Sequence, residues 1–413
     1  MSGFKHIFLL MSLVMMSLSL WANDSIQFRG PNRDGVFSKE KGLLKSWPEA
    51  GPTVMWQAEG LGNGFSSAVT SGDKIFTTGE SNFKDVVFAL DAKGKALWQT
   101  EYSDAHPGGG YPGTRTTPTV DGDHLYVMSS FGEVVCLNKD TGKIVWSLKT
   151  LEHFAKKKAE SYIPRWAVAE SVLVVGNKVI CTPGVPGATV VALDKNTGKV
   201  IWTTKGLEDI SGYCSARVFD NGKVRQIVTM TGVSMVGVDL NSGKLLWSHS
   251  YPASWEIHAN SPLFEGNTIY VSDGYGKGGS AFQLAEDGKS IKKLWAEETL
   301  DIHHGGGVCV DGFIYGASNR GKWMKLDLKT GKVVATGRGS GKGSIIYADG
   351  LLYGYGESGR IAIIDPKSAE LATISQFRQT AGSGQNWAHP TLNNGRLLIR
   401  HGDVLICYDV RAK

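Results

Sequence analysis

Two adjacent histidines, His303 and His304, precede three glycines in the stretch DIHHGGGVCVDG, Asp301 to Gly312. Imidazole changes charge near neutral pH and is the commonest metal ligand, and glycine removes side-chain bulk beside it. The stretch therefore reads in three ways: a metal site, a general base with room for a substrate, or closely packed framework. Neighbouring side chains in extended chain point to opposite sides, so the pair is not expected to chelate one ion. One ring is expected in a cavity and the other against a neighbouring element. A single cavity histidine can act as a general base or hydrogen-bond donor; the framework alternative is a ring satisfied by backbone groups. No spacing supports a zinc ion shared with His258 or His389, and no metal site is expected.

Other chemistry-bearing stretches weaken on inspection. GRGSGKGS, Gly337 to Ser344, approaches a phosphate-binding loop, but Lys342 is followed by glycine and no strand-to-helix context surrounds it. HPGGGYPGTR, His106 to Arg115, is a turn-rich connection whose Arg115 can clamp a carboxylate or sulfate. The lysine run 156–158 reads as a solvated loop, and a net charge of +5 spread along 413 residues does not imply nucleic acid. Five cysteines with no C-x-x-C spacing suggest neither a disulfide framework nor zinc. No paired acids at a recognisable spacing point to glycoside hydrolysis.

The elements that must position these residues are set by a repeat. ALDAKGKALW ends at Trp98, CLNKDTGKIVW at Trp146, ALDKNTGKVIW at Trp202 and GVDLNSGKLLW at Trp247; a stretched copy ends at Trp295, and degenerate copies end at Ala335 and Thr373. Each copy is a hairpin: apolar strand, Asp or Asn, a glycine for the left-handed position, second strand. A further hairpin precedes each copy, as in TPTVDGDHLYVMS. Four strands in each unit of roughly 40–55 residues is the signature of a β-propeller. The 53 glycines and 41% apolar composition suit an all-β chain rich in tight turns.

Eight units are counted. The last stops after DVLICYDV without its fourth strand, while PTVMWQAE carries a lone Trp56 with no hairpin before it. An all-β, eight-bladed propeller closed by this N-terminal strand is therefore expected, because an open ring exposes an edge and an apolar face. Residues 51–413 form this single domain, behind an extension over 23–50. Residues 1–22 have the charged start, apolar run and small-residue end of a cleavable leader. Export to the periplasm or beyond is expected, with the mature chain starting near Asn23, no cysteine there for a lipid anchor, and no membrane span. A monomer is the expected state.

The A-L-D-x-x-T-G-K-x-x-W pattern resembles that of pyrroloquinoline-quinone-type propellers across nearly the whole mature chain. In that family the tryptophan docks a blade on its neighbour, which assigns the role to Trp56, Trp98, Trp146, Trp202, Trp247 and Trp295. The family includes quinoprotein alcohol dehydrogenases, the outer-membrane β-barrel assembly factor and exported bacterial proteins of unassigned role; QFRGPNRDGV, HHGGG and WAHP look like the last group. Segments leading into each innermost strand of such a ring converge on one funnel. Here they supply Arg115, Glu170, Tyr213, His258 and Asn260, then His303, His304, Lys342, Trp387 and His389. A quinone-dependent member is expected to hold calcium with Glu, Asn and Asp beside the quinone. The connection expected to carry the Glu reads TPGVPGATVV, Lys277 stands where Asn is wanted, and vicinal cysteines are absent. Glu170, Asn260 and Asp301 are the residues that could build a variant site for calcium and pyrroloquinoline quinone. Three functions compete: a binding module for a small molecule, glycan fragment or envelope protein; a dehydrogenase acting on alcohols or sugars; and, on Tyr213, Glu170 and the histidines alone, a metal-independent sugar lyase or hydrolase.

Overall fold

A computed structural model describes residues 24–412. The proposed leader lies outside them. Eight antiparallel sheets of four repeat-derived strands each follow one another around a ring. Blade 1 runs from Val69–Ser71 to Ala96–Asp104, blade 4 from Arg217–Asp220 to Leu245–Ser250, and blade 7 from Gly343–Ala348 to Thr373–Arg378. The first strands of neighbouring blades touch one another and line the central channel. Blade 8 takes three strands from the C-terminal end and its fourth, Thr53–Ala58, from the N-terminal end, with Trp56 opposite Cys407. The ring closes as its sequence implies. Among the described residues no helix is long and apolar enough to cross a membrane.

The repeat chemistry explains both the turns and the packing between blades. In blade 3, Asp194 Oδ1 accepts hydrogen bonds from the Asn196 and Thr197 amides and the Thr197 hydroxyl, which closes the turn between the third and fourth strands. Gly198 follows at φ +70°, a conformation that disfavours other residues. The Trp146 ring of blade 2 lies over this glycine: a Cβ there would fall 2.6 Å from the indole. The indole N–H donates to Lys195 O of the same turn at 2.9 Å. Trp56 on Gly94, Trp98 on Gly142, Trp202 on Gly243 and Trp295 on Gly331 repeat the arrangement. Trp247 departs from it: its indole N–H donates to Gln226 Oε1 in its own blade, and Gln226 Nε2 donates in turn to Gly288 O in the blade 5 turn, so Gln226 stands between the ring and that glycine.

The fourth strand of every blade carries a register shift next to the tryptophan position, as between Ile144 and Trp146. Such a bulge adds one residue and re-aims its neighbour. The added residue, Val145 or Leu97 for example, faces solvent, and the ring after it turns toward the next blade. The clusters so sealed are apolar: Leu173, Ile180, Ala192 and Trp202 of blade 3 meet Ile227, Val236 and Val238 of blade 4. Trp202→Ala should therefore cost about 3–5 kcal/mol, as truncation of a buried aromatic does. Urea unfolding checks this, and a parental midpoint would contradict the docking role. Cys136 and Cys407 occupy equivalent third strands and are fully buried, as small core residues.

The segment 24–37 does more than extend the chain. Its backbone or side chains bond to the inner strands, or the residues leading into them, of seven blades, from Thr70 of blade 1 through Val120, Val172 and Arg217 to Gly307, Tyr347 and His389. Val36–Phe37 adds a parallel strand inside blade 7. This segment plugs the channel.

Candidate functional site

A cavity of about 490 Å³ opens at one end of the ring, above the plug. Its floor includes Phe28 from the plug and His389 from the connection into blade 8. Of the funnel residues expected from the sequence, Arg115, Tyr213, Lys342 and Trp387 line it, as do His303, His304 and His389. Glu170, His258 and Asn260 do not. Glu170 is fully buried and accepts from the Thr182 amide and hydroxyl. His258 is held between Asp273 and Gly232 O. The Asn260 amide ties Ser272 O and Ile302 O to the Gly306 N–H. These three brace the blade connections, because residues leading into an inner strand alternate between channel and framework.

His303 and His304 correct the expectation that they diverge. A bend at His304 and Gly305 interrupts the extended chain, so alternation does not govern this pair. Both rings reach the cavity wall, with centroids 4.8 Å apart. His303 Nε2 pairs with the Tyr275 hydroxyl at 3.0 Å, and His304 Nε2 donates to Glu357 Oε1 at 2.9 Å. The glycines that follow are explained by the plug. A Cβ on Gly306 would collide with the Arg29 guanidinium, and one on Gly305 with the Gly343 carbonyl. Arg29 donates to Gly305 O and Gly307 O, and to His389 Nδ1 at 2.9 Å. Since arginine has no acceptor, the His389 proton sits on Nε2, which donates to His304 O at 3.0 Å.

Tyr275, Asn319 and Glu357 also line the cavity although they precede no inner strand. They lie in turns between second and third strands of blades 5, 6 and 7. Antiparallel strands alternate direction, so these turns emerge at the same end as the connections between blades. That topological rule was the signal available in the sequence. Tyr111 and Trp166 come from long connections, and Phe28 from the plug.

Burial dominates the electrostatics. It pushes His303 down to about 3, helped by His304 and Lys342. It also lowers His304 against the opposing pull of Glu357, and takes His389, beside Arg29, well below its ordinary range. The three imidazoles are neutral at physiological pH. Burial acts to raise the Glu357 carboxyl, but the His304 hydrogen bond and the Lys342 ammonium at 3.1 Å hold it well below the usual carboxylate range. Trp387 Nε1 also donates to Glu357, at 3.0 Å. Two aromatic clusters flank this polar patch: Trp387 against Phe65 and Tyr111, and Trp166 against Tyr213 and Trp255.

Residues 83–337 match the family model described as outer membrane protein assembly factor BamB. The chain belongs to this pyrroloquinoline-quinone-like propeller family. Within it, the fold is shared with BamB from Moraxella catarrhalis, at a TM-score of 0.63 and 14% identity over 88% of this chain and 99% of that one. A europium-containing methanol dehydrogenase superposes with a TM-score of 0.67 at 12% identity, over 92% of this chain and 90% of that one. A quinoprotein alcohol dehydrogenase of Pseudomonas putida, PedH, is 30% identical over 147 residues, which span 33% of this chain and 22% of that relative.

The residues do not fit the calcium and quinone that dehydrogenases with this propeller imply. Calcium takes roughly six to eight oxygen ligands. Glu170 and Asn260 are engaged as described, and the Asp301 carboxylate accepts from the Gly276 and Asn319 amides. None of the three lines the cavity, where the one carboxylate among the described residues is Glu357, already shared by Lys342, His304 and Trp387.

Proposed function

We propose that this protein is an exported binding module whose funnel holds an acidic glycan fragment. The observation that carries the reading is the 490 Å³ cavity walled by rings from several blades, with partly exposed Tyr111 and Tyr275 at hand and Trp255 62% exposed beside Trp166. Exposed aromatic faces suit the apolar faces of sugar rings, and the polar groups between them can fix orientation. Arg115 and Lys342 outweigh the single Glu357 charge while the histidines are neutral, which favours a ligand bearing carboxylate or sulfate. A dehydrogenase reading draws on the partial match to PedH but lacks oxygen ligands for calcium. The description of the family favours a second reading, a segment of an envelope protein docked on the same face, where Phe83 is 84% exposed near the turn between the second and third strands of blade 1.

Tryptophan fluorescence during titration with oligogalacturonate, with a neutral cello-oligosaccharide as control, tests the proposal. Saturable binding of the acidic oligomer is expected, weakened about 10- to 100-fold in Trp387→Ala, equivalent to about 1.4–2.8 kcal/mol of lost stacking and burial. Trp387→Phe, which keeps a ring but loses the bond to Glu357, should retain most of the affinity. Binding unchanged by both substitutions, or no response to either sugar at millimolar concentration, overturns the glycan reading.

A further inference from the structure

One nitrogen of His303, one of His304 and one carboxylate oxygen of Glu357 fall within 4.8 Å of one another at the cavity wall. Two imidazoles and a carboxylate are a donor set that zinc uses in catalytic sites, with a further position left open. Both rings also have donor capacity to spare. Nδ1 of His303 and Nδ1 of His304 are both buried without any hydrogen-bond partner among the described residues, whereas buried ring nitrogens are normally satisfied. The surroundings are those of an oriented ligand set. Tyr275 pairs with His303, His389 holds the His304 carbonyl, and Arg29 fixes the His389 tautomer. The Tyr275 hydroxyl on the His303 ring is the kind of outer partner that a metal-binding histidine uses, while His389 fixes the His304 backbone.

We propose that His303, His304 and Glu357 bind one divalent transition-metal ion of the zinc class, with its open coordination position facing the funnel. Lys342 must yield, together with the His304 Nε2–H and Trp387 Nε1–H bonds to the same carboxylate oxygen. The Lys342 ammonium lies 3.1 Å from the Glu357 oxygen that also receives His304, so it neutralises the carboxylate when no cation is there and repels an arriving one. The site is thus an ion pair that opens to admit a metal. This inference stands apart from the glycan reading, since the ion alone is the probe.

Mature full-length protein is stripped with chelator and titrated with zinc chloride by calorimetry, with calcium chloride as control; cobalt(II) serves as a spectroscopic substitute. One zinc per chain and no calcium are expected, together with visible absorption of the cobalt form that reports nitrogen ligands. His304→Asn and Glu357→Gln, which keep a hydrogen-bonding side chain at each position, should each weaken zinc binding by about 100-fold. Lys342→Met should tighten it roughly 10-fold, a gain that a structural Lys342–Glu357 pair would not produce. Circular dichroism and melting establish that each variant folds. Zinc binding of equal strength in parent and His304→Asn overturns the proposal, as does weaker binding in a folded Lys342→Met variant or no stoichiometric binding by the parent.

Discussion

Arg29→Ala is expected to destabilise the protein by roughly 3–5 kcal/mol, an effect measurable as a lowered urea midpoint. Arg29 is 4% exposed, and its guanidinium donates to the carbonyls of Gly305, Gly307 and Asp34 and to the His389 ring. Each buried acceptor left without a donor costs about 1–3 kcal/mol, partly relieved where water enters the gap. Burial lowers the Arg29 pKa to about 10, opposed by Asp34 and assisted by Arg217, and the group remains charged at neutral pH. Its hydrogen bonds must therefore offset the desolvation of a cation. Lysine at this position cannot reproduce the planar fork, so Arg29→Lys should recover less than half of the loss. The substitution also frees His389 to change tautomer and loosens the His304 carbonyl, so ligand affinity at the funnel should fall together with stability. A variant as stable as the parent would show that the plug contributes contacts without holding the ring.

Glu170→Gln should remove a pH dependence of stability. Burial pushes the Glu170 carboxyl up to about 8, against the hydrogen bonds from Thr182 and the charge of Arg33. The unfolded chain releases this proton near the ordinary value of 4.5. The folded state retains it between the two values, so rising pH favours unfolding there. The stability that neutral Glu170 allows is complete below about pH 4.5 and is lost progressively as pH rises toward 8, at up to about 1.4 kcal/mol per pH unit. Glutamine keeps an acceptor for the Thr182 amide and has no proton to lose. Relative to the parent, Glu170→Gln should therefore gain several kcal/mol between pH 5 and pH 8, because every other group titrates alike in both proteins. Equal pH slopes for the two proteins would contradict a neutral, buried Glu170.

The ring was legible because its parts are local. The D-x-x-T-G-K turn, the tryptophan after it and the unpaired strand around Trp56 all repeat at fixed spacing, and each hairpin states its own geometry. The cavity was legible only in part. Arg115, Lys342 and Trp387 follow from their place ahead of inner strands, but so do Glu170, His258 and Asn260, which point into framework. Which way such a residue turns depends on contacts with other blades, and spacing does not record these. Glu357 and Tyr275 required following the strand directions to the other turns at the same end. The joint placement of His303 and His304 depended on a bend created where Gly305 and Gly306 accommodate Gly343 and Arg29, residues far away in sequence. Arg29 sits in QFRGPNRDGV, a stretch with no periodicity to reveal that it plugs a channel.

The pairing of Trp56 with Cys407 has a kinetic corollary. Contacts this distant along the chain carry a large loop-closure entropy and form late, so blade 8 cannot assemble until both ends have been synthesised and delivered to one compartment. Before then the chain is a curved stack with two unsatisfied margins, and either margin can pair with that of another molecule. The final clasp thus competes with intermolecular strand exchange, and dilution during refolding should favour the closed circle.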